Sequence, residues 1–208
     1  MNLNFSDYST NQRYHLMTQT IIPRPIAWAL TESNSGNLNL APFSYFTAVS
    51  STPPILMLSV GKKPNGDDKD TLVNAQRSKK MVIHIASEQH ATLVTKTAAT
   101  LPHGESELTH AGIETTQFKR FALPRLTHCD IAYGCELYEI KELGDAPQSL
   151  LFVEIKQVYI NDKVVDITLD SNGTERIKVL ADKVNPLARL GGGEYAAITK
   201  PFTLTRPK

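Results

Sequence analysis

The chain has 208 residues, with 22 Lys plus Arg against 21 Asp plus Glu, a formal net charge of +1 and 41% hydrophobic residues. A chain of this length buries about 70% of its unfolded surface as one domain and needs neither a disulfide nor a structural metal to hold its core. The near-zero charge, without a long Lys/Arg block, excludes the electrostatic footprint of backbone-driven nucleic-acid binding, so any anion is bound locally.

Residues 1–20 carry Asp7 and Arg13 and lack the continuous apolar stretch of a secretory signal. The longest apolar runs, such as Ile55 to Val60, fall far short of the about 18 residues that span a bilayer. The expectation is a soluble, cytoplasmic protein with no membrane partner.

Strand-like stretches bounded by Gly, Pro, Asn and Asp follow in order: Ile21 to Thr31, Phe43 to Ser50, Ile55 to Val60, Met81 to Ser87, Cys129 to Ile140 and Leu150 to Ile160. The polar cluster from Glu32 to Asn37 has hairpin-turn composition, which favours antiparallel pairing. Two helices are predicted. One is N-capped by Asp70 and runs toward Lys79 and Lys80; the other spans about Glu88 to Thr100, with Ala91, Val94, Ala98 and Leu101 on one face. With strands outnumbering helices and no strand-helix alternation, a mainly β barrel or sandwich is expected. No repeat or composition break marks a second domain.

Cys129 and Cys135 fall in one alternating strand, where six residues separate them by roughly 20 Å, beyond the reach of a disulfide. Both are expected as small core residues. The six histidines show no metal-site spacing, so no metal is expected. His84, inside an apolar run, reads as a hydrogen-bonded core histidine; His103 and His110 sit in a polar loop and are candidates to face a ligand.

Two nucleotide motifs fail on inspection. Gly61 to Gly66 begins like a Walker A loop, but Asp67 and Asp68 stand where Lys and Ser/Thr are required. Gly191-Gly192-Gly193-Glu194-Tyr195-Ala196 matches a dinucleotide fingerprint in letters only, since no buried strand precedes it. The triple glycine reads either as a mobile turn or as a place of close backbone approach to a ligand or partner. Ser59, Gly61, Lys69 and Thr71 surround the predicted helix start at Asp70 and suit a single phosphate group, with plain helix capping as the alternative.

Several ordered segments then carry a family resemblance: Pro23-Arg24-Pro25-Ile26-Ala27-Trp28, Asn37 to Phe46 around Ala41-Pro42-Phe43-Ser44, Pro53-Pro54, Ser59, Lys69-Asp70-Thr71, Ser106-Glu107 with Ala111-Gly112, Pro124-Arg125, and the tail from Pro186 to Gly192. The set resembles the flavin reductase-like family of FMN-binding split-barrel proteins, particularly the branch of flavoredoxins and the reductase component of nitrilotriacetate monooxygenase.

The resemblance implies a six-stranded antiparallel Greek-key split barrel with flanking helices. The whole chain, 1–208, would be a single domain, with a core over about 20–160 and a C-terminal extension over 161–208. It also implies a homodimer holding FMN. Arg24, Ser59, Lys69 and Thr71 would surround the phosphate and ribityl chain, and Ala41, Pro42, Phe43 and Ser44 would line the ring system. Pro25, Ala27, Gly61, Asp70, Arg189 and Tyr195 complete the candidate cofactor-binding set. Trp28 reads as a packing residue, with flavin contact as the alternative.

The implied activity is an NAD(P)H-dependent flavin reductase. Its chemistry belongs to the flavin, so no catalytic side chain is assigned. The alternative is a flavoredoxin-like FMN carrier that takes electrons from a redox partner protein.

Overall fold

Seven strands make one antiparallel sheet: β1 (Ala27–Glu32), β2 (Leu38–Phe43), β3 (Phe46–Ser51), β4 (Pro54–Val60), β5 (Lys80–Ile85), β6 (Ile131–Leu143) and β7 (Gln148–Ile160). The structure, a computed structural model, describes all residues except His103, Gly104, Ala146, Ser171, Thr199, Arg206 and Lys208. His103, a candidate above, therefore lies outside the described residues.

The order across the sheet is β2-β1-β5-β6-β7-β4-β3. The two edge strands, β2 and β3, are consecutive in the chain and joined only by Ser44 and Tyr45. Laid flat, seven strands would set those edges roughly 29 Å apart, given about 4.8 Å between neighbours. A two-residue link reaches only about 10 Å. The sheet therefore curls round into a barrel with its seam at Ser44-Tyr45.

The seventh strand, beyond the six stretches expected, is β2: the expected stretch from Phe43 to Ser50 takes in only the last residue of β2 and most of β3. Residues 38–51 run without a glycine or a turn cluster, so the break is invisible locally. It is set by partners: Phe43 pairs with Ala27, whereas Phe46 pairs with Leu58.

Both faces of β1 are covered, which explains its unbroken burial from Ala27 to Thr31. Ala27 and Ala29 point into the barrel with Phe43, Leu58, Ile83 and Leu151. Trp28 and Leu30 point outward, into a second core that includes Val94 and Leu108. These come from two short helices, α3 (Ala91–Lys96) and α4 (Glu107–Ala111), labelled after α1 (Thr10–Thr20) and α2 (Asp70–Ser78).

Two helix boundaries differ from expectation. Lys69, not Asp70, is the N-cap of α2, and its side chain makes no capping bond; Lys79, at φ 58°, closes the helix. The predicted helix from Glu88 to Thr100 is a 3₁₀ turn (Glu88–His90) followed by α3. It stops where Thr97 Oγ1 turns back to the Val94 carbonyl at 3.1 Å, the local competition that Thr offers a helix.

The cysteines are free and buried, but in different cores. Cys135 lies in the barrel and Cys129 in the outer cluster, so the alternation breaks at Asp130, before β6 begins. Burial pushes the Cys129 thiol up to about 12. Beyond β7, β8 (Val165–Leu169) and β9 (Glu175–Val179) form a separate ribbon, and Arg24–Pro25 pairs with Ala188–Arg189. Among the described residues no helix is long and apolar enough to cross a membrane.

Candidate functional site

The end of β2 and the start of α2 enclose a cavity of about 120 Å³. Ala41 and Pro42 form one side, Lys69, Asp70 and Thr71 another, and the segment after α3, from Thr97 to Leu101, closes the third. Five of the predicted cofactor residues are thus brought together by strand β2 and helix α2. The first amides of α2 have no intrahelical acceptor, so the helix presents its positive end here.

Lys69 carries the local charge. Its ammonium stands 5.6 Å from the centre of the Phe43 ring, which places Phe43 beside the same site. Burial pushes its pKa below the ordinary lysine value, and among the described residues no carboxylate pairs with it to offset that burial. Lys63, by contrast, is paired with Asp70 at 3.0 Å.

A buried polar network holds the cavity wall. Asn39 donates from Nδ2 to Glu107 at 2.9 Å and accepts from Thr71 Oγ1 at 3.1 Å and Thr31 Oγ1 at 3.3 Å. Glu107 also accepts the Leu40 N–H at 2.9 Å. Burial raises the Glu107 pKa, and these hydrogen bonds oppose that rise. Asn39, Lys63, Thr97 and Glu107 line the cavity although the candidate set omitted them. The spacing of Asn39 and Glu107 gives no warning of their contact, because the network joins β2, α2 and α4 only after folding.

The remaining candidates fall into other groups. Arg24 is 5% exposed, and its guanidinium donates to the carbonyls of Ile21 and Leu190 at 2.7 Å each, to the Thr18 carbonyl, and weakly to Ser44 Oγ at 3.4 Å. It ties the end of α1 to the C-terminal segment and is not on the wall of the Lys69 cavity. Ser44 lies beside it at the barrel seam, and the Ser59 N–H donates to the Tyr45 carbonyl at 2.9 Å, one rung beyond the Phe46–Leu58 pair that joins β3 to β4. Gly61 packs against the Gln148 side chain. Ala27 is fully buried inside the barrel.

Pro25, Arg189 and Tyr195 belong to a small three-stranded sheet of Arg24–Pro25, Ala188–Arg189 and Tyr195–Ala196, where the Arg189 guanidinium stacks 4.5 Å from the Tyr195 ring and Tyr195 Oη accepts from Thr95. The triple glycine resolves as a close approach within the chain: a Cβ on Gly191 would stand 3.2 Å from the Gln19 Cα and closer still to its side chain.

His84 is the expected core histidine. Nδ1 faces the Trp28 carbonyl at 3.1 Å and Nε2 accepts the Leu126 N–H at 2.9 Å, which fixes the proton on Nδ1; burial lowers its pKa to about 3. His110 pairs with Glu105 on the surface at 2.8 Å. Trp28 is a packing residue whose indole N–H donates to Thr97 Oγ1 at 2.8 Å. Among the described residues no group of three or more His, Cys, Asp or Glu side chains is arranged to hold a metal.

A curled antiparallel barrel of this strand order, with helices packed outside it, defines the split-barrel class. Residues 17–177 match the family model described as flavin reductase like domain, and the chain belongs to that family, which places it among flavin-related oxidoreductases.

It is 34% identical over 203 residues to the uncharacterized protein YwrF of Bacillus subtilis, covering 96% of this chain and 95% of that one. The crystal structure of nitrilotriacetate monooxygenase component B from Bacillus cereus superposes with a TM-score of 0.86 at 30% identity over 98% of both chains. The 2-nitrobenzoate 2-nitroreductase NbaA of Pseudomonas fluorescens gives 0.85 at 28% identity, covering 100% of this chain and 96% of that one.

Proposed function

We propose that the chain binds FMN through the Lys69 cavity and is an NAD(P)H-dependent flavin reductase. The observation that carries this is Lys69 itself, a partly buried ammonium that no carboxylate among the described residues pairs with, at the positive end of a helix. Burying an unpaired cation costs stability, and a phosphate supplies the missing charge. FMN, when bound, supplies an acceptor for hydride from the nicotinamide nucleotide.

The chain's own part is binding and orientation. Lys69 and the first amides of α2 hold the phosphate, while Thr71 stays anchored to Asn39 and keeps the wall rigid. Ala41 and Pro42 offer backbone groups and an apolar edge beside Phe43. Ser44, Ser59 and Arg24 stiffen the adjoining seam.

At about 120 Å³ the cavity takes only the phosphate end of such a molecule, since sites that enclose ligands of drug size run to roughly 300–1,000 Å³. The rest requires cover from elsewhere. A second copy of this chain is the proposed cover, supported by the exposed edge strand β3 and by exposed Tyr14, Ile21, Ile22 and Val49.

The test is a visible absorbance titration with FMN, followed by anaerobic mixing with NADH or NADPH. Saturable uptake and rapid bleaching are expected. Uptake followed by reduction only through a redox protein assigns the electron-carrier alternative; no uptake overturns both.

A further inference from the structure

A second cavity, of about 200 Å³, lies on the outer face of the barrel sheet. Its walls are the Trp28 indole and the His90 ring, whose centres are 5.9 Å apart, with Leu93, Ile113, Leu126 and Cys129 completing an apolar interior. The polar atoms in these walls already have partners. The indole N–H is held by Thr97, and His90 Nδ1 accepts the Ser87 N–H at 3.1 Å. Burial raises the Cys129 thiol, which leaves it un-ionised and inert.

The rim differs in kind. Glu114 and His128 face each other there at 3.9 Å, both about three-quarters exposed, too far apart to satisfy one another. Their backbone is fixed: the Thr127 N–H donates to the Glu114 carbonyl at 3.0 Å, and Thr115–Thr116 pairs with Arg125–Leu126.

The geometry points to a second small-molecule site, for a single aromatic ring bearing one neutral hydrogen-bonding substituent. An apolar cavity of roughly 150 Å³ accepts a benzene-sized guest, so about 200 Å³ holds one ring and a substituent and excludes a tricyclic flavin. The ring lies between Trp28 and the aliphatic wall, and the substituent reaches the Glu114–His128 rim. A carboxylate there meets the charge of Glu114 and is disfavoured.

Trp28 is the sole tryptophan of the chain and a built-in reporter. Phenol, titrated into the intact protein with excitation selective for tryptophan, is expected to give a saturable change in fluorescence, at least tenfold tighter than benzoate. Ile113→Phe fills the cavity and is expected to weaken phenol at least tenfold. A non-saturating response matching that of free tryptophan amide, or equal binding of phenol and benzoate, overturns the proposal.

The single indole N–H resonance gives a second readout that needs no variant: it shifts saturably with phenol if the site exists and stays fixed if it does not. Phenol uptake without FMN uptake would leave this site standing and remove the flavin reading, and the reverse result would do the opposite.

Discussion

The Trp28 indole donates to Thr97 Oγ1 at 2.8 Å, each side chain about 1% exposed, and the bond stands between two cavities: Trp28 lines one and Thr97 the other. Thr97→Val keeps the shape and removes the acceptor, leaving a buried indole N–H unsatisfied. The expected cost is about 1–3 kcal/mol, read as a lower urea midpoint with an unchanged slope.

Lys69→Ala is expected to weaken FMN binding by about 1.5–3 kcal/mol, the usual range for a hydrogen bond to a charged group. An unchanged dissociation constant in an FMN titration removes Lys69 from the site.

The same residue sets a pH dependence. Burial makes the free protein's Lys69 lose its proton below the ordinary 10.5, and a bound phosphate favours the charged form. Binding therefore takes up a proton on the alkaline side. FMN affinity is expected to fall as pH rises through that lowered pKa, and Lys69→Ala to flatten the profile.

His84 makes folding acid-sensitive. Its folded pKa of about 3 lies below the unfolded 6.5, so the unfolded chain binds the extra proton between these values. Its contribution is complete above pH 6.5 and is lost as pH falls toward 3, with a slope of up to about 1.4 kcal/mol per pH unit. His84→Leu should lower stability at neutral pH, by stranding the Leu126 N–H, and remove that slope. Urea midpoints across this range, for both proteins, check it.

Gly191→Ala is expected to loosen the C-terminal segment, because the new Cβ meets the Gln19 backbone as well as its side chain and no rotamer change relieves both. Faster proteolysis around Arg189, with barrel fluorescence intact, is the measurement.

What was legible in the sequence was mostly local. Lys69-Asp70-Thr71 announced itself because a strand end, a charge and a helix start lie within a dozen residues, and the structure places them on one cavity. The resemblance offers Arg24 as a phosphate residue but gives no sign of its bond to the Leu190 carbonyl, 166 residues away, a separation that no local pattern reveals. Ser106-Glu107 and Asn39 both carry the resemblance, but their mutual contact is not legible, because Glu107 meets Asn39 and Leu40 from 68 and 67 residues away. Strand β2 is not legible either: Asn39 and Pro42 interrupt its apolar pattern, and it is its pairing with β1 that makes Leu38–Phe43 a strand.

Ser44 and Tyr45 do more than connect. As the only covalent link between the two sheet edges, they set the circumference of the barrel, much as a clasp sets a bracelet. Lengthening that link by even one residue would let the edges drift apart and carry Pro42 and Phe43 away from Lys69, so the shape of the Lys69 cavity is gauged by a two-residue fastening outside it.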